Sequence, residues 1–165
     1  MQALEAAFLI GVEGVTEIWL VRHADCYQDM EEAADPPLSA LGRAQAQRLA
    51  ERVKRSGHAA VYASPFRRAL ETARAITDDF KIEPRLVEMP LDISEDGTLE
   101  FHETAESVSA RMRAVVEDMV REHEGKRVVA ISHGAAIIAC LADVLNVEPG
   151  RLRLLPYYTS ISTLR

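Results

Sequence analysis

Features that would mark a secreted, membrane-bound or nucleic-acid-binding protein are scarce in this sequence. Its 165 residues include two cysteines, too few for a disulfide framework, which favours a reducing, cytoplasmic location. No run of Lys or Arg occurs and the net charge is −7 at pH 7, which argues against nucleic acid and membrane as partners. The apolar run at 6–12 is too short to span a bilayer and follows no basic residue, so we expect no targeting segment.

Nothing in the chain marks a boundary between domains. The sequence has no internal repeat, no low-complexity tract and no linker rich in Pro or Gly. P-loop and dinucleotide-binding glycine motifs are absent as well. At this length we predict one domain over residues 1–165, in which 1–16 form an N-terminal extension.

Short apolar runs alternate with longer segments of helical periodicity. We predict strands at 17–21, 59–63, 85–88 and 127–132, and a further strand in the tail around Pro156. Helices are predicted from a Ser39 cap to about 55, from Ser64-Pro65 to about 77, from a Thr104 cap to 125, and over 134–145. Apolar strands separated by helices predict an α/β fold, a three-layer α/β/α sandwich with a mostly parallel central sheet.

Polar residues suited to one kind of ligand follow the predicted strands. Arg22 and His23 follow the first strand, Ser64–Arg68 the second, Glu88 ends the third, and His133 follows the fourth. Because ligands bind at the carboxyl ends of parallel strands, we expect these side chains to meet at one edge of the sheet. Arginine forks and helix N-termini both bind phosphate, so the ligand that this set suits is a phosphoryl group.

Four motifs occur in order along the chain. They are LVRHA at 20–24, LSALGRAQA at 38–46, SPFRRA at 64–69 with Thr72-Ala73 after it, and SHG at 132–134. This ordered set resembles the histidine phosphatase (phosphoglycerate mutase-like) superfamily, and in particular its branch of small phosphatases. The resemblance implies the phosphoglycerate mutase-like fold and a phosphohistidine intermediate.

The resemblance also implies a role for each residue at the strand ends. His23 is the nucleophile that becomes phosphorylated, and Glu88 resembles the proton donor. Arg22, Arg68 and His133 are the substrate-binding residues, which hold the phosphoryl oxygens. Elementary chemistry agrees, because a neutral imidazole is a usable nucleophile near pH 7 and phosphoryl transfer needs mainly positioning and charge stabilisation.

Two positions have alternative readings. If Glu88 is only a solvated carboxylate, Asp92, Glu95 and Asp96 are the substitutes. Ser64 is explained equally well by capping a helix and by contacting phosphate.

The function that we expect is a metal-independent phosphomonoester hydrolase without a cofactor. The other histidines, His58, His102 and His123, lack the spacing of metal ligands. Hydrolysis is favoured because ADCY at 24–27 stands where mutases and their closest phosphatase relatives carry Gly-Glu-Thr/Ser, and because this chain leaves no room for a mutase's long covering segments. The alternatives are a phosphoglycerate mutase, a protein-phosphohistidine phosphatase and a non-catalytic phospho-ligand binding protein.

Two acidic segments, 24–37 and 89–106, are expected to flank the pocket, and neither contains Lys or Arg. Their carboxylates are Asp25, Asp29, Glu31, Glu32, Asp35, Asp92, Glu95, Asp96, Glu100, Glu103 and Glu106. Carboxylates at an entrance repel polyanions, which favours a small phosphorylated metabolite or a phosphoprotein whose remainder is neutral or cationic. The alternative is that both segments are solvated acidic loops.

Overall fold

A five-stranded sheet forms the centre of the molecule. Our computed structural model describes residues 14–27, 35–94, 99–148 and 151–165. The strands are β1 (Glu17–Arg22), β2 (Ala60–Ala63), β3 (Lys81–Ile82), β4 (Leu91–Ile93), β5 (Leu99–Phe101), β6 (Arg127–Ser132) and β7 (Ile161–Leu164). The helices are α1 (Ala40–Ser56), α2 (Arg67–Ile76), α3 (Ala105–Glu122) and α4 (Gly134–Val144), and a 3₁₀ turn spans Pro84–Leu86.

The order of strands in the central sheet is β3-β2-β6-β1-β7. The first four are parallel, and β7 pairs antiparallel with β1, while β4 and β5 form a separate hairpin. Arg22 lies opposite Ser132, and Ala63 lies opposite Ile131. The carboxyl ends of β1, β2 and β6 therefore lie side by side at one edge of the sheet.

Helices cover both faces of this sheet. Leu20 packs in one buried cluster with Met112 of α3 and Ile137 of α4, whereas the next residue, Val21, packs in another with Val53 of α1. Successive side chains of a strand point to opposite faces, and each fully buried one contributes roughly 1.5–3 kcal/mol. The predicted three-layer sandwich with a mostly parallel sheet is confirmed.

Helix α1 has the boundaries that the sequence predicts. Ser39 Oγ accepts a hydrogen bond from the N–H of Gly42 (2.9 Å), and Gly57 ends the helix with a φ of 69°. A Cβ at position 42 would lie 1.8 Å from the carbonyl oxygen of Asp25. Only glycine therefore allows α1 to pack directly against the backbone that follows β1.

The strand predicted at 85–88 is wrong. Residues Pro84–Leu86 form a 3₁₀ turn, because the Glu83 side chain accepts a hydrogen bond from the N–H of Arg85 (2.9 Å) and Pro84 is already set for a helical turn. The parallel sheet ends at the two-residue strand β3, which the sequence did not reveal.

The expected cap of α2 is also wrong. The helix begins at Arg67 rather than at Pro65, and its first residue is preceded by Phe66, which makes no side-chain capping bond. Ser64 instead forms a hydrogen bond with His133 (2.8 Å). The position of the Ser64 hydroxyl is therefore set by His133, the residue after β6, and not by a capping bond to α2.

Most of the N-terminal extension, residues 1–13, lies outside the described residues. Thr16 accepts a hydrogen bond from the N–H of Gly125 (2.9 Å), which attaches the end of the extension to the turn before β6. The single domain stays a prediction. Among the helices that the structure describes, none has the length and apolar character needed to cross a membrane.

Candidate active site

His23 is the first residue after β1, and it is only 5% exposed. Its Nδ1 lies 2.8 Å from the carbonyl oxygen of Ala24, which can only accept a hydrogen bond. Nδ1 therefore carries the proton, and the lone pair of the neutral ring is on Nε2. That nitrogen accepts a hydrogen bond from Nε of Arg68 at 3.2 Å. The ring thus directs its nucleophilic atom at a guanidinium.

Helix α2 positions both of these residues. Arg68 lies in its first turn, and one turn later Thr72 Oγ1 donates to the Arg68 carbonyl oxygen (2.7 Å). The same hydroxyl accepts a hydrogen bond from the N–H of Ala24 (3.0 Å). Thr72 therefore connects the backbone that orients His23 with the helix that carries Arg68.

The Arg68 guanidinium has two further contacts. Its Nη1 lies 3.2 Å from Oδ1 of Asp35, and its Cζ lies 4.7 Å from the centre of the Phe66 ring. Asp35 itself accepts a hydrogen bond from the backbone N–H of Arg67 at the start of α2. The carboxylate is thereby fixed beside the guanidinium, and its side chain is 36% exposed.

Arg22, the last residue of β1, is held by contacts with the C-terminal part of the chain. Its Nη1 donates to the carbonyl oxygen of Pro156 (2.8 Å), and its Cζ lies 4.2 Å from the centre of the Tyr158 ring. The Tyr158 ring is in turn 5.6 Å from that of His23, centre to centre. Two arginines therefore lie near one imidazole.

His133 follows β6 and is fully buried, with its ring centre 5.1 Å from that of His23. Its Nε2 lies 2.8 Å from Ser64 Oγ. Since Ser64 Oγ accepts from the N–H of Phe66 (3.4 Å), its own hydrogen is available for His133 Nε2. This arrangement leaves the proton of the neutral His133 ring on Nδ1.

Both imidazoles are neutral at pH 7. The pKa of His23 is lowered to about 3, mainly by burial; the hydrogen bond to Ala24 raises it, and the charges of Arg68 and Arg22 lower it. Burial also holds the pKa of His133 well below its ordinary range, with smaller effects from His23 and Arg68. Protonation of either ring would add a buried positive charge beside two guanidiniums.

Glu88 lies against the N-terminus of α4, the helix that His133 precedes. Its Oε1 accepts hydrogen bonds from the N–H groups of Met89 (2.9 Å) and Ala136 (3.0 Å). Its Oε2 has only a long contact, 3.4 Å, with the N–H of Ala135. Oε2 is therefore the oxygen with the weaker backbone contact.

Arg111 supports the irregular segment that carries Glu88. It donates to the carbonyl oxygens of Arg85 (2.7 Å) and Val87 (2.9 Å), which have no partner strand. Glu103 holds the guanidinium of Arg111 from the other side at 3.0 Å. An arginine of α3 thus replaces the sheet hydrogen bonds that a strand at 85–88 would have made.

Two buried donors of this cluster have no hydrogen-bond partner among the described residues. They are Nε of Arg22 and Nδ1 of His133. Each buried donor left unpaired costs about 1–3 kcal/mol. Both are donors of the kind that bind an anion, and the two guanidiniums of Arg22 and Arg68 lie in the same cluster, so this arrangement is suited to a phosphoryl group.

Comparison with known proteins agrees with this chemistry. A family model for the histidine phosphatase superfamily, branch 1, matches residues 18–100 and 90–165. The chain belongs to the histidine phosphatase superfamily.

Several relatives within this superfamily show its range. A probable phosphoglycerate mutase, GpmB, from Enterobacter sp. (strain 638) is 30% identical, over 84% of this chain and 80% of the relative. An uncharacterized phosphatase, PhoE, from Bacillus subtilis (strain 168) is 28% identical, over 82% and 80%. The crystal structure of phosphoserine phosphatase from Entamoeba histolytica, in complex with 3-phosphoglyceric acid, is 26% identical with a TM-score of 0.74, covering 90% of each chain.

The structure brings four of the five predicted site residues into one cluster, which consists of Arg22, His23, Arg68 and His133. Glu88 lies beside it, at the N-terminus of α4. Their roles in a histidine phosphatase reaction stay predictions at this point.

Sequence analysis missed the aromatic side chains of the site. Tyr158 lies over Arg22, and Phe66 lies beneath Arg68 with its ring 5.2 Å from His133. Phe66 lies within the motif at 64–69, so its position along the chain was a usable signal. Tyr158 is far from Arg22 along the chain, and no local pattern indicates their contact.

The acidic segments are described in part. Asp29, Glu31, Glu32, Glu95 and Asp96 lie outside the described residues, as do the side chains of Asp92 and Glu100. Asp25 accepts a hydrogen bond from Ser39, and Glu103 pairs with Arg111. Among the described carboxylates, Asp35 is the one that pairs with an arginine of the cluster. Within the same described ranges, no three His, Cys, Asp or Glu side chains are placed to hold a metal ion.

The low pKa of His23 predicts a loss of stability in acid. Because the unfolded chain binds a proton near pH 6.5 and the folded ring does not until about pH 3, this contribution is fully present above 6.5 and is lost as pH falls towards 3. The quantity to compare is the unfolding free energy of the unsubstituted chain minus that of His23→Gln. We expect this difference to fall by up to about 1.4 kcal/mol for each pH unit below 6.5.

Urea unfolding between about pH 7 and pH 5 measures this difference. His58→Gln, at an exposed position outside the cluster, is the matched control. If the His23→Gln curve runs parallel to that of the unsubstituted chain over this range, His23 takes up its proton at the same pH in the folded and the unfolded chain, and its pKa is not lowered by burial.

Proposed function

We propose that this chain is a metal-independent phosphomonoester hydrolase that acts through a phosphohistidine on His23. The observation that carries the proposal is the state of this ring. Its Nδ1–H is bound to Ala24, and its Nε2 lone pair lies 3.2 Å from Nε of Arg68. A neutral imidazole beside a cation is suited to attack an anionic group that the cation binds.

In the first step, Nε2 of His23 attacks phosphorus. The N–P bond forms, the P–O bond to the alcohol breaks, and its electron pair goes to the departing oxygen. Arg22, Arg68 and the Nδ1–H of His133 donate to the three non-bridging oxygens. These donors stabilise the charge that develops on the phosphoryl group.

Glu88 supplies the proton that the departing alcohol needs. The proton moves from Oε2, the oxygen with the weaker backbone contact, to the leaving oxygen. In the second step the Glu88 carboxylate takes a proton from water. The water oxygen then attacks phosphorus, the N–P bond breaks, and phosphate leaves with His23 neutral again.

Hydrolysis is favoured over mutase activity by the segment after His23. The N–H of Asp25 donates to Gln45 (2.9 Å), and its carboxylate accepts from Ser39. Cys26 forms a backbone bridge with Leu38. This segment is therefore bound to α1 and its neighbourhood, and it offers the pocket little with which to retain an intermediate between two transfers.

The substrate that the pocket favours is a small phosphorylated metabolite. The related phosphoserine phosphatase was crystallised with 3-phosphoglyceric acid, which supports this class of compound. The fixed carboxylate of Asp35, beside Arg68, disfavours a second strongly anionic group close to the first. A cytoplasmic location is part of the same proposal, and it suits such substrates.

Mutase activity is the second candidate, and it is favoured by the 30% identity to a probable phosphoglycerate mutase. The two activities differ in their products from 3-phosphoglycerate when a trace of 2,3-bisphosphoglycerate is present. We expect phosphate release to exceed formation of 2-phosphoglycerate at every time point. His23→Asn, which removes the nucleophile, is expected to abolish both.

Interconversion that outruns phosphate release would contradict the hydrolase proposal. If 3-phosphoglycerate gives neither phosphate nor 2-phosphoglycerate, and p-nitrophenyl phosphate releases no phosphate, the chain is instead a protein that binds phosphate without catalysis. A product ratio that persists unchanged in His23→Asn would point to a contaminating enzyme.

The role of Glu88 predicts a dependence on the leaving group. Glu88→Gln cannot donate the proton, so kcat for an alkyl phosphate such as glycerol 3-phosphate should fall by about 100-fold or more. For p-nitrophenyl phosphate, whose anion leaves readily, the fall should be much smaller. Glu51→Gln, at an exposed position of α1, is the control. Equal losses with both substrates would leave Glu88 only as a cap of α4.

A further inference from the structure

We infer that Tyr158 is a positioning residue that holds the guanidinium of Arg22 for the phosphoryl group. The inference rests on the proposed function, and it adds to that function a residue outside all four motifs. Arg22 Cζ lies 4.2 Å from the centre of the Tyr158 ring. A guanidinium over an aromatic face is attracted by the negative charge of that face.

The contact with the Tyr158 ring leaves the N–H groups and the charge of Arg22 available for a ligand. An aromatic ring attracts a cation without using its N–H groups and without cancelling its charge. Arg22 has no carboxylate within ion-pair distance among the described residues. Arg68, in contrast, shares its guanidinium between His23 and Asp35. Within the described ranges, Arg22 is thus the arginine of the cluster whose charge no carboxylate pairs with.

Two other contacts complete the orientation of Arg22. Its Nη1 is bound to the Pro156 carbonyl oxygen at 2.8 Å. A Cβ at Gly134 would come within 3.6 Å of its Cζ and Nε, so the start of α4 lies close to the guanidinium. With the ring of Tyr158 added, the plane of the guanidinium is determined, and the unpartnered Nε is the donor left for an anion.

The backbone around Tyr158 is held in place independently of its ring. Thr159 has a φ of 58°, in the left-handed region that a β-branched residue rarely adopts. The N–H of Thr159 donates to the Arg22 carbonyl oxygen (2.9 Å), and the backbone N–H of Arg22 donates to the Ser160 carbonyl oxygen (3.3 Å). The turn that presents Tyr158 is therefore bonded to the same residue that the ring contacts.

The chain offers a matched control in the preceding residue. Tyr157 is 77% exposed, whereas Tyr158 is partly buried against Arg22 and His23. Substitutions at the two positions change the composition identically, and only position 158 touches the cluster. A general effect of losing a tyrosine from this loop would appear in both.

The test compares Tyr158→Leu, Tyr158→Phe and Tyr157→Leu. The measured quantities are kcat and KM for p-nitrophenyl phosphate and, by calorimetry, the dissociation constant of orthovanadate, which mimics the five-coordinate phosphoryl group. Leucine fills the space without an aromatic face, so for Tyr158→Leu we expect KM and the vanadate constant to rise about tenfold. Tyr158→Phe and Tyr157→Leu should stay within about twofold of the unsubstituted enzyme.

Pentafluorophenylalanine at position 158 covers the case in which Tyr158→Leu fails to fold. It keeps the shape of the ring but reverses the charge on its face, so we expect weaker vanadate binding at unchanged thermal stability. A residue that only fills space would show no such loss.

Two results would overturn the inference. One is a vanadate constant for Tyr158→Leu equal to that of Tyr157→Leu, and the other is a loss in Tyr158→Phe as large as in Tyr158→Leu. Either result in an enzyme that still releases phosphate leaves the proposed function intact. An unsubstituted chain that neither hydrolyses phosphomonoesters nor binds vanadate would contradict the proposed function itself.

Discussion

The hydrogen bond from Nδ1 of His23 to the carbonyl oxygen of Ala24 sets the chemistry of the whole cluster. Together with the hydrogen bond that Nε2 accepts from Nε of Arg68, it keeps the proton on Nδ1 and leaves Nε2 as the nucleophile of the proposed mechanism. The bond depends on the backbone after β1 staying in place. Thr72 accepts a hydrogen bond from the N–H of Ala24, and α1 packs against the Asp25 backbone at a distance that only a glycine at position 42 allows.

The same cluster shows how a chain with a net charge of −7 can present a cationic pocket. The two guanidiniums lie at strand and helix ends, where Tyr158 and Phe66 cover their faces. Burial keeps both imidazoles neutral, so they add hydrogen-bonding atoms without adding charge. The positive charge of the cluster is therefore confined to its two guanidiniums, and Asp35 already pairs with that of Arg68.

Local signals in the sequence were sufficient for much of the fold. Buried strands such as β1 and β6 appear as continuous apolar runs, and Ser39 and Gly57 mark the ends of α1 within their own neighbourhood. The carboxyl ends of these parallel strands then bring His23 and His133 together, as a topological rule predicts.

A distant side chain contributes to each of the errors, and at 85–88 it acts together with the local Glu83 cap and Pro84. Residues 85–88 have the composition of a strand, but Arg111 of α3 pairs with their carbonyl groups and a 3₁₀ turn is accommodated. Ser64 has the composition of a cap, but its hydroxyl is taken by His133. Tyr158 reaches Arg22 through the pairing of β7 with β1, which no spacing in the sequence encodes.

The central claim is that His23 forms a covalent bond to phosphorus during turnover, and a rapid-quench experiment tests it most directly. The enzyme would be mixed with p-nitrophenyl phosphate, quenched in alkali to preserve phosphohistidine, and digested for tandem mass spectrometry. The account predicts a phosphoryl group on the peptide that contains His23, formed within one turnover and missing in His23→Asn. Steady phosphate release with no phosphopeptide, or with the phosphoryl group on another residue, would contradict it.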